Sequence, residues 1–181
     1  GNPMDRLEVA GLGTIDASMI DIGNPHVFIR AKDIGLKGTE TADQIDADKD
    51  LTELLERIRS HAAFTMGMIS NPARGKQESP AAPIIAMISP PQDYDAPLSD
   101  RTVKAEESDF LSRLMFMQQM HKTYAGTSTV CTGIASKLPG TIVFEACREE
   151  AQDRMEVRIG HPAGVIETES VVELNGNDYD V

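Results

Sequence analysis

The sequence predicts an α+β domain, mostly strand with two helices, and three observations carry that prediction. Residues 14–22 alternate apolar Ile15, Ala17 and Met19 with polar Thr14, Asp16 and Ser18, the period of a half-buried strand. Leu51, Leu54, Leu55, Ile58 and Ala62 recur at helical spacing. Val130, Cys131, Ile134, Ala135 and Leu138 form a second apolar helical run behind Gly126, Thr127 and Ser128.

In chain order, strands are expected at 7–10, 14–22 and 26–30, punctuated by Gly11, Gly13 and Gly23. A polar loop with Gly35, Gly38 and Thr39 precedes a helix over about 50–66, for which Asp50 and Glu53 offer a capping box. The segment 71–83 reads as loop by composition, and 83–89 as a strand stopped by Pro90 and Pro91. Residues 109–120 suit helix and strand alike, because Leu, Met and Gln favour the first while Phe110, Leu114 and Phe116 fit one face of the second. After the helix closed by Pro139 and Gly140, the stretches 141–147, 154–159 and 164–174 read as strands joined by 148–153 and 160–164. Asn-Gly-Asn-Asp at 175–178 opens a hairpin of which three residues remain, leaving an edge that invites pairing with another chain.

Composition narrows function. Seventeen basic against twenty-nine acidic residues give a net charge of −12, which argues against nucleic acid as a partner. No run reaches the roughly 18 apolar residues of a membrane span, and residues 1–10 lack the basic and apolar regions of a signal peptide, so the chain reads as cytoplasmic. Cys131 and Cys147 read as free thiols. With no Trp, five Phe and three Tyr, a base-stacking or sugar-binding strip is not expected, and the substrate class is small and polar.

Three places carry candidate chemistry. At 125–131, Gly126, Thr127 and Ser128 open an apolar helix, where free N–H groups and the helix dipole suit a carboxylate or phosphate; alternatively Thr127 or Ser128 is simply the N-cap. Cys131, one turn further on, reads as core. Gly23-Asn24-Pro25-His26 is a turn able to aim an amide and an imidazole at a ligand, and His161 sits in the Gly160–Gly164 turn; both are also accounted for as ordinary turns. His26, His61, His121 and His161 lack the spacing of a zinc site, so no metal is expected.

Blocks spread along the chain carry a resemblance: D-R-L-E-V-A-G-L-G-T at 5–14, A-S-M-I-D-I-G-N-P-H-V-F-I at 17–29, G-T-E at 38–40, R-I-R-S-H-A-A-F-T-M-G-M-I at 57–69, H-K-T-Y-A-G-T-S-T-V-C at 121–131, L-P-G-T-I at 138–142 and G-H-P-A-G-V-I at 160–166. In these the chain resembles the 2-methylaconitate cis-trans isomerase (PrpF-like) family of the diaminopimelate epimerase superfamily. The resemblance implies one lobe of a two-lobe enzyme, matching the second half over 1–181 and truncated in its last strands. The implied lobe is a curved, mostly antiparallel sheet or barrel wrapped around a central helix at about 128–138, with 109–117 as a strand leading into it. It implies a cofactor-independent double-bond shift by proton transfer on a small unsaturated tricarboxylate, bound at the interlobe cleft by Asn24, His26, Gly126, Thr127, Ser128 and His161. The family's catalytic lysine and its partner cysteine belong to the first half, so the resemblance places no catalytic residue here. Ala125 stands where the superfamily's epimerases carry a cysteine, which disfavours two-thiol racemisation, and Pro83-Ile84 stands where the family has Pro-Lys.

Three readings follow. The first is an enzyme lobe that binds carboxylates and is completed by an N-terminal lobe. The second is a non-catalytic binding or assembly module of the same fold, paired as a homodimer. The third is an unrelated acidic β-rich enzyme.

Overall fold

A computed structural model describes residues 1–175 and 178–180. Strands β1 (Asp5–Val9), β2 (Gly13–Ile22) and β3 (Asn24–Arg30) form an antiparallel meander. Gly23, at a φ of 76°, makes the tight turn between β2 and β3, a conformation that costs glycine nothing sterically. Helices α1 (Ala42–Ala47) and α2 (Lys49–Thr65) follow, then the single turn α3 (Gly75–Glu78) and β4 (Ile84–Ser89). A ribbon of β5 (Tyr94–Ala96) and β6 (Arg101–Val103) precedes β7 (Phe110–Phe116) and β8 (Gln119–Met120). Three helices come next, α4 (Gly126–Ala135), α5 (Ile142–Ala146) and α6 (Glu149–Gln152). Strands β9 (Glu156–His161), β10 (Gly164–Glu169), β11 (Glu173–Asn175) and β12 (Asp178–Asp180) end the described chain.

The main sheet runs β1-β2-β3-β4-β7-β9-β10, with β8 paired to β7. Its neighbours are antiparallel except β3–β4 and β7–β9, which are parallel. Alternation along the strands splits the core between the two faces. Val27, Ile29, Ile85, Met87 and Met115 meet Leu55, Ile58 and Ala62 of α2, whereas Phe28, Ala86, Ile88, Phe110 and Leu114 meet Cys131 and Ala135 of α4. Helix α4 touches β2 and β3 on one flank and β10 on the other, so the sheet curls around it without closing. Gly133 permits this approach, because a Cβ there would stand 2.4 Å from Ser170 Oγ and 2.8 Å from Thr168 Cγ2.

Several expectations change. The long helix begins one residue before Asp50, and its N-cap is Asp48, whose carboxylate accepts from Leu51 N–H; no box forms between Asp50 and Glu53. The capping box belongs instead to Thr41 and Gln44 and starts α1, a helix not expected from the sequence. Residues 141–147 are not a strand. Thr141 accepts from Phe144 N–H and Ser18 Oγ accepts from Ile142 N–H, and these two bonds hold α5 as a helix despite its β-branched start. The connector 148–153 contains α6, and the loop 71–83 contains a 3-10 turn at Pro72–Arg74 and α3. The helix expected at 128–138 spans Gly126–Ala135, and the ambiguous segment is strand β7. The stretch 164–174 is broken at Ser170 into β10 and β11, and β11 pairs with β12 across residues 176 and 177, which lie outside the described residues. No helix among the described residues is long and apolar enough to cross a membrane.

Candidate functional site

Helix α4 is laid down on β2 and β3 in a direction fixed by two contacts. Cys131 Sγ lies 3.8 Å from Ile20 O, and Thr141, hydrogen-bonded to Ala135 O, precedes the Ile142 N–H held by Ser18. The C-terminal end of α4 is therefore level with Ser18 and its middle with Ile20, which carries its first turn toward Ile22, Gly23 and Asn24.

Gly126 and Thr127 are exposed and Asn24 is half-buried. Neither Thr127 nor Ser128 caps the helix. The N-cap is Ala125, which has no side chain able to accept a hydrogen bond, so the first-turn N–H groups keep their donor capacity and the positive end of the dipole faces outward. Ser128 is fully buried, and its Oγ has no hydrogen-bond partner.

Buried polar groups lie on the α4 face of the sheet. Tyr124 Oη is 2.9 Å from both Ser112 Oγ and Thr132 Oγ1, tying β7 to α4, and burial pushes its phenol up to about 12. His26 is fully buried, stacked on Phe28 with ring centroids 5.6 Å apart, and its Nδ1 lies 2.7 Å from Asn24 O while Nε2 has no partner. Burial lowers its pKa against the pull of the Asn24 carbonyl. His161 is 8% exposed, with its ring 6.1 Å from that of Tyr124, and its Nδ1 accepts from Ala163 N–H at 3.2 Å. Burial, then the charges of Arg113 and His121, bring it down to about 4, so it is neutral at pH 7.

Gly126 and Thr127 are exposed at the start of α4, Ser128 is buried one residue further on, and Asn24 is half-buried at the start of β3. His26 and His161 are placed in the buried layer on the same face of the sheet rather than in contact with solvent. Cys131 is core, as its position one turn into the helix indicated, and burial pushes its thiol up to about 12. Sequence reasoning missed Tyr124, Ser112 and Thr132. Their signal was present, since Ser112 and Thr132 are hydroxyls set in otherwise apolar runs and Tyr124 directly precedes the Ala-Gly-Thr-Ser start. Among the described residues, no three His, Cys, Asp or Glu side chains come together to hold a metal.

Fold and site together define a class: an α+β domain in which a curling mixed sheet packs on a helix whose start has no side-chain cap, with buried hydroxyls and imidazoles on that face of the sheet. The family model described as PrpF protein matches residues 1–180, and the chain belongs to that family. It is 45% identical over 173 residues to the 3-methylitaconate isomerase of Eubacterium barkeri, covering 96% of this chain and 45% of that protein. It is 39% identical over 179 residues to the 2-methyl-aconitate isomerase of Shewanella oneidensis, covering 97% and 44%. The crystal structure of a methylitaconate-delta-isomerase superposes with a TM-score of 0.92 at 42% identity, over 99% of this chain and 46% of that one. The chain spans about half the length of the relatives it matches.

Proposed function

We propose that the chain is one lobe, the second, of a cofactor-independent isomerase that shifts a double bond in a small unsaturated polycarboxylate by proton transfer. The observation that supports this reading is an exposed helix start at Gly126 and Thr127 with no side-chain cap, in a chain whose relatives are named for methylitaconate and methylaconitate. A substrate carboxylate accepts from the first-turn N–H groups of α4 and from Thr127, with the Asn24 amide at its edge. Fixed donors of this kind stabilise the negative charge that develops when a proton leaves the carbon next to a carboxylate, the enolate-like stage of the reaction. The proton itself is moved by groups of the facing lobe. In this lobe the imidazoles of His26 and His161 are buried, and burial lowers the pKa of each. The fold supports the diaminopimelate epimerase-like reading through the sheet that curls around α4.

The test is proton NMR of trans-aconitate and 2-methylaconitate in deuterated buffer with this chain. Ligand line broadening without deuterium uptake is the expected result. Enzyme-dependent uptake would show that this lobe holds a working base and overturn the division of labour; neither signal would favour an assembly module. Thr127→Val combined with Ser128→Ala is expected to weaken tricarboxylate binding with the fold intact, and unchanged affinity by calorimetry would remove α4 from the site.

A further inference from the structure

At the other end of the sheet, the parallel strands β3 and β4 finish side by side at Arg30 and at Ile88–Ser89, and a cavity of about 320 Å³ opens there. Crevices at the carboxyl ends of parallel strands are the usual ligand positions of sheets with helices on both faces. Its floor is apolar, formed by Ile88, Ile142 and Ala146. Its rim is basic, with Arg30, Lys32 and Lys37 against the single carboxylate of Glu145, in a chain whose net charge is −12. Arg30 is already occupied, 2.6 Å from Glu145 and 3.1 Å from Asp16. Lys32 and Lys37 are exposed and have no ion-pair partner among the described residues, so these two cations are available to an anion.

The wall carrying Lys37 is held in place. Glu40 accepts from the N–H groups of Lys37 and Gly38 at 2.8 and 2.9 Å, and Gln92 Nε2 donates to Lys37 O at 2.9 Å. Gly38, at a φ of 88°, presses on Ser89, where a Cβ would stand 2.0 Å from Ser89 Oγ. That hydroxyl is buried in the cavity lining and has no hydrogen-bond partner. A built wall, two unpaired ammonium groups and an apolar floor together select for an anionic head on a hydrocarbon body.

We propose that this cavity binds a small organic carboxylate, its head between Lys32 and Lys37 and its short hydrocarbon chain on Ile88, Ile142 and Ala146. Hexanoate titrated into the 15N-labelled chain is the probe. Saturable shifts are expected at the amides of Lys32, Ser89 and Ala146, and Lys32→Glu with Lys37→Glu is expected to weaken binding about tenfold or more while amide dispersion stays native. Hexanamide, with the same body and no charge, is expected to give no saturable shift. Shifts at Gly126 and Thr127 in place of the cavity amides, equal affinity in the double variant, or hexanamide binding as tightly as hexanoate would each overturn the assignment. These readouts involve no isomerisation, so the outcome is independent of the activity proposed for the α4 end.

Discussion

Around α2, Glu56 and Arg59 are buried as a completed network; around α4, His26 and Ser128 are buried with bonding left undone. Arg59 donates through Nε and Nη2 to both Glu56 oxygens at 2.8 and 2.6 Å, and through Nη1 to Ser79 O and Ala82 O at 2.8 Å. Ser60 and Gln118 also donate to Glu56. Burial works against the Glu56 carboxylate, yet the hydrogen bonds and charge of Arg59 hold it below the usual range. On the other face, His26 Nε2 and Ser128 Oγ are buried without partners, Ser128 in the first turn of α4. The Arg59–Glu56 bonds are committed to the fold, whereas His26 Nε2 and Ser128 Oγ keep unused bonding capacity.

The strongest way to break this contrast is to open the completed network. Arg59→Leu leaves Glu56 as an uncompensated buried carboxylate and is expected to cost about 3–5 kcal/mol in urea unfolding. A loss under about 1 kcal/mol would mean that the α2 face is no more committed to stability than the α4 face.

Next comes pH. Unfolded His161 titrates near its ordinary 6.5 but in the fold near about 4, so between those values the unfolded chain binds the extra proton. Stability contributed at this site is flat above pH 6.5, falls by at most about 1.4 kcal/mol per pH unit as pH drops toward 4, and loses no more below that. Asp109 adds a separate loss at lower pH. Burial opposes its charged form, but the hydrogen bonds and charges of Arg158, with Arg154, hold its pKa down, and protonation below that value removes their contribution. His161→Asn, which keeps an acceptor for Ala163 N–H, is expected to flatten the upper part of the acid limb alone; an unchanged limb would show that the imidazole is not held neutral.

Smaller effects sharpen the picture. Tyr124→Phe removes the hydroxyl between Ser112 and Thr132 and is expected to cost about 1–2 kcal/mol by chemical denaturation. Ser128→Ala deletes a partnerless buried hydroxyl and is expected to stabilise the chain by about 1 kcal/mol while weakening polycarboxylate binding. Destabilisation on that substitution would show that Ser128 belongs with the completed networks.

How far the sequence reveals this arrangement depends on the range of the interactions involved. The long helix is legible because Leu55, Ile58 and Ala62 mark its buried stripe, but its cap is not, since Asp46, Asp48 and Asp50 are all credible and only the path of the chain selects Asp48. Helix α1 is legible in the Thr41 and Gln44 capping box, although its six residues are too few to show an apolar period. Residues 141–147 have the composition of a strand, and their helix is secured in part by Ser18, more than a hundred residues away. At the site, the helix start and the Asn24 turn were each visible as local motifs. The lie of α4 across β2 and β3 was not, and neither were the burial of Ser128 nor the bridging role of Tyr124.

Strands β7 and β9 are joined by two residue pairs, Phe110 with Ile159 and Leu111 with Gly160. Beside these pairs, Asp109 N–H and C=O pair with Arg158 O and Arg148 N–H, its carboxylate takes Arg154 and Arg158, and Arg113 Nη1 donates to Gly160 O at 3.4 Å. So short a junction, closed only after a loop of nearly fifty residues, marks β9 and β10 as a cooperative unit that opens below the global unfolding free energy. Slow amide exchange should accordingly persist in β2, β3 and β4 after β9 and β10 have exchanged, with the Gly133 flank of α4 uncovered each time that unit lifts.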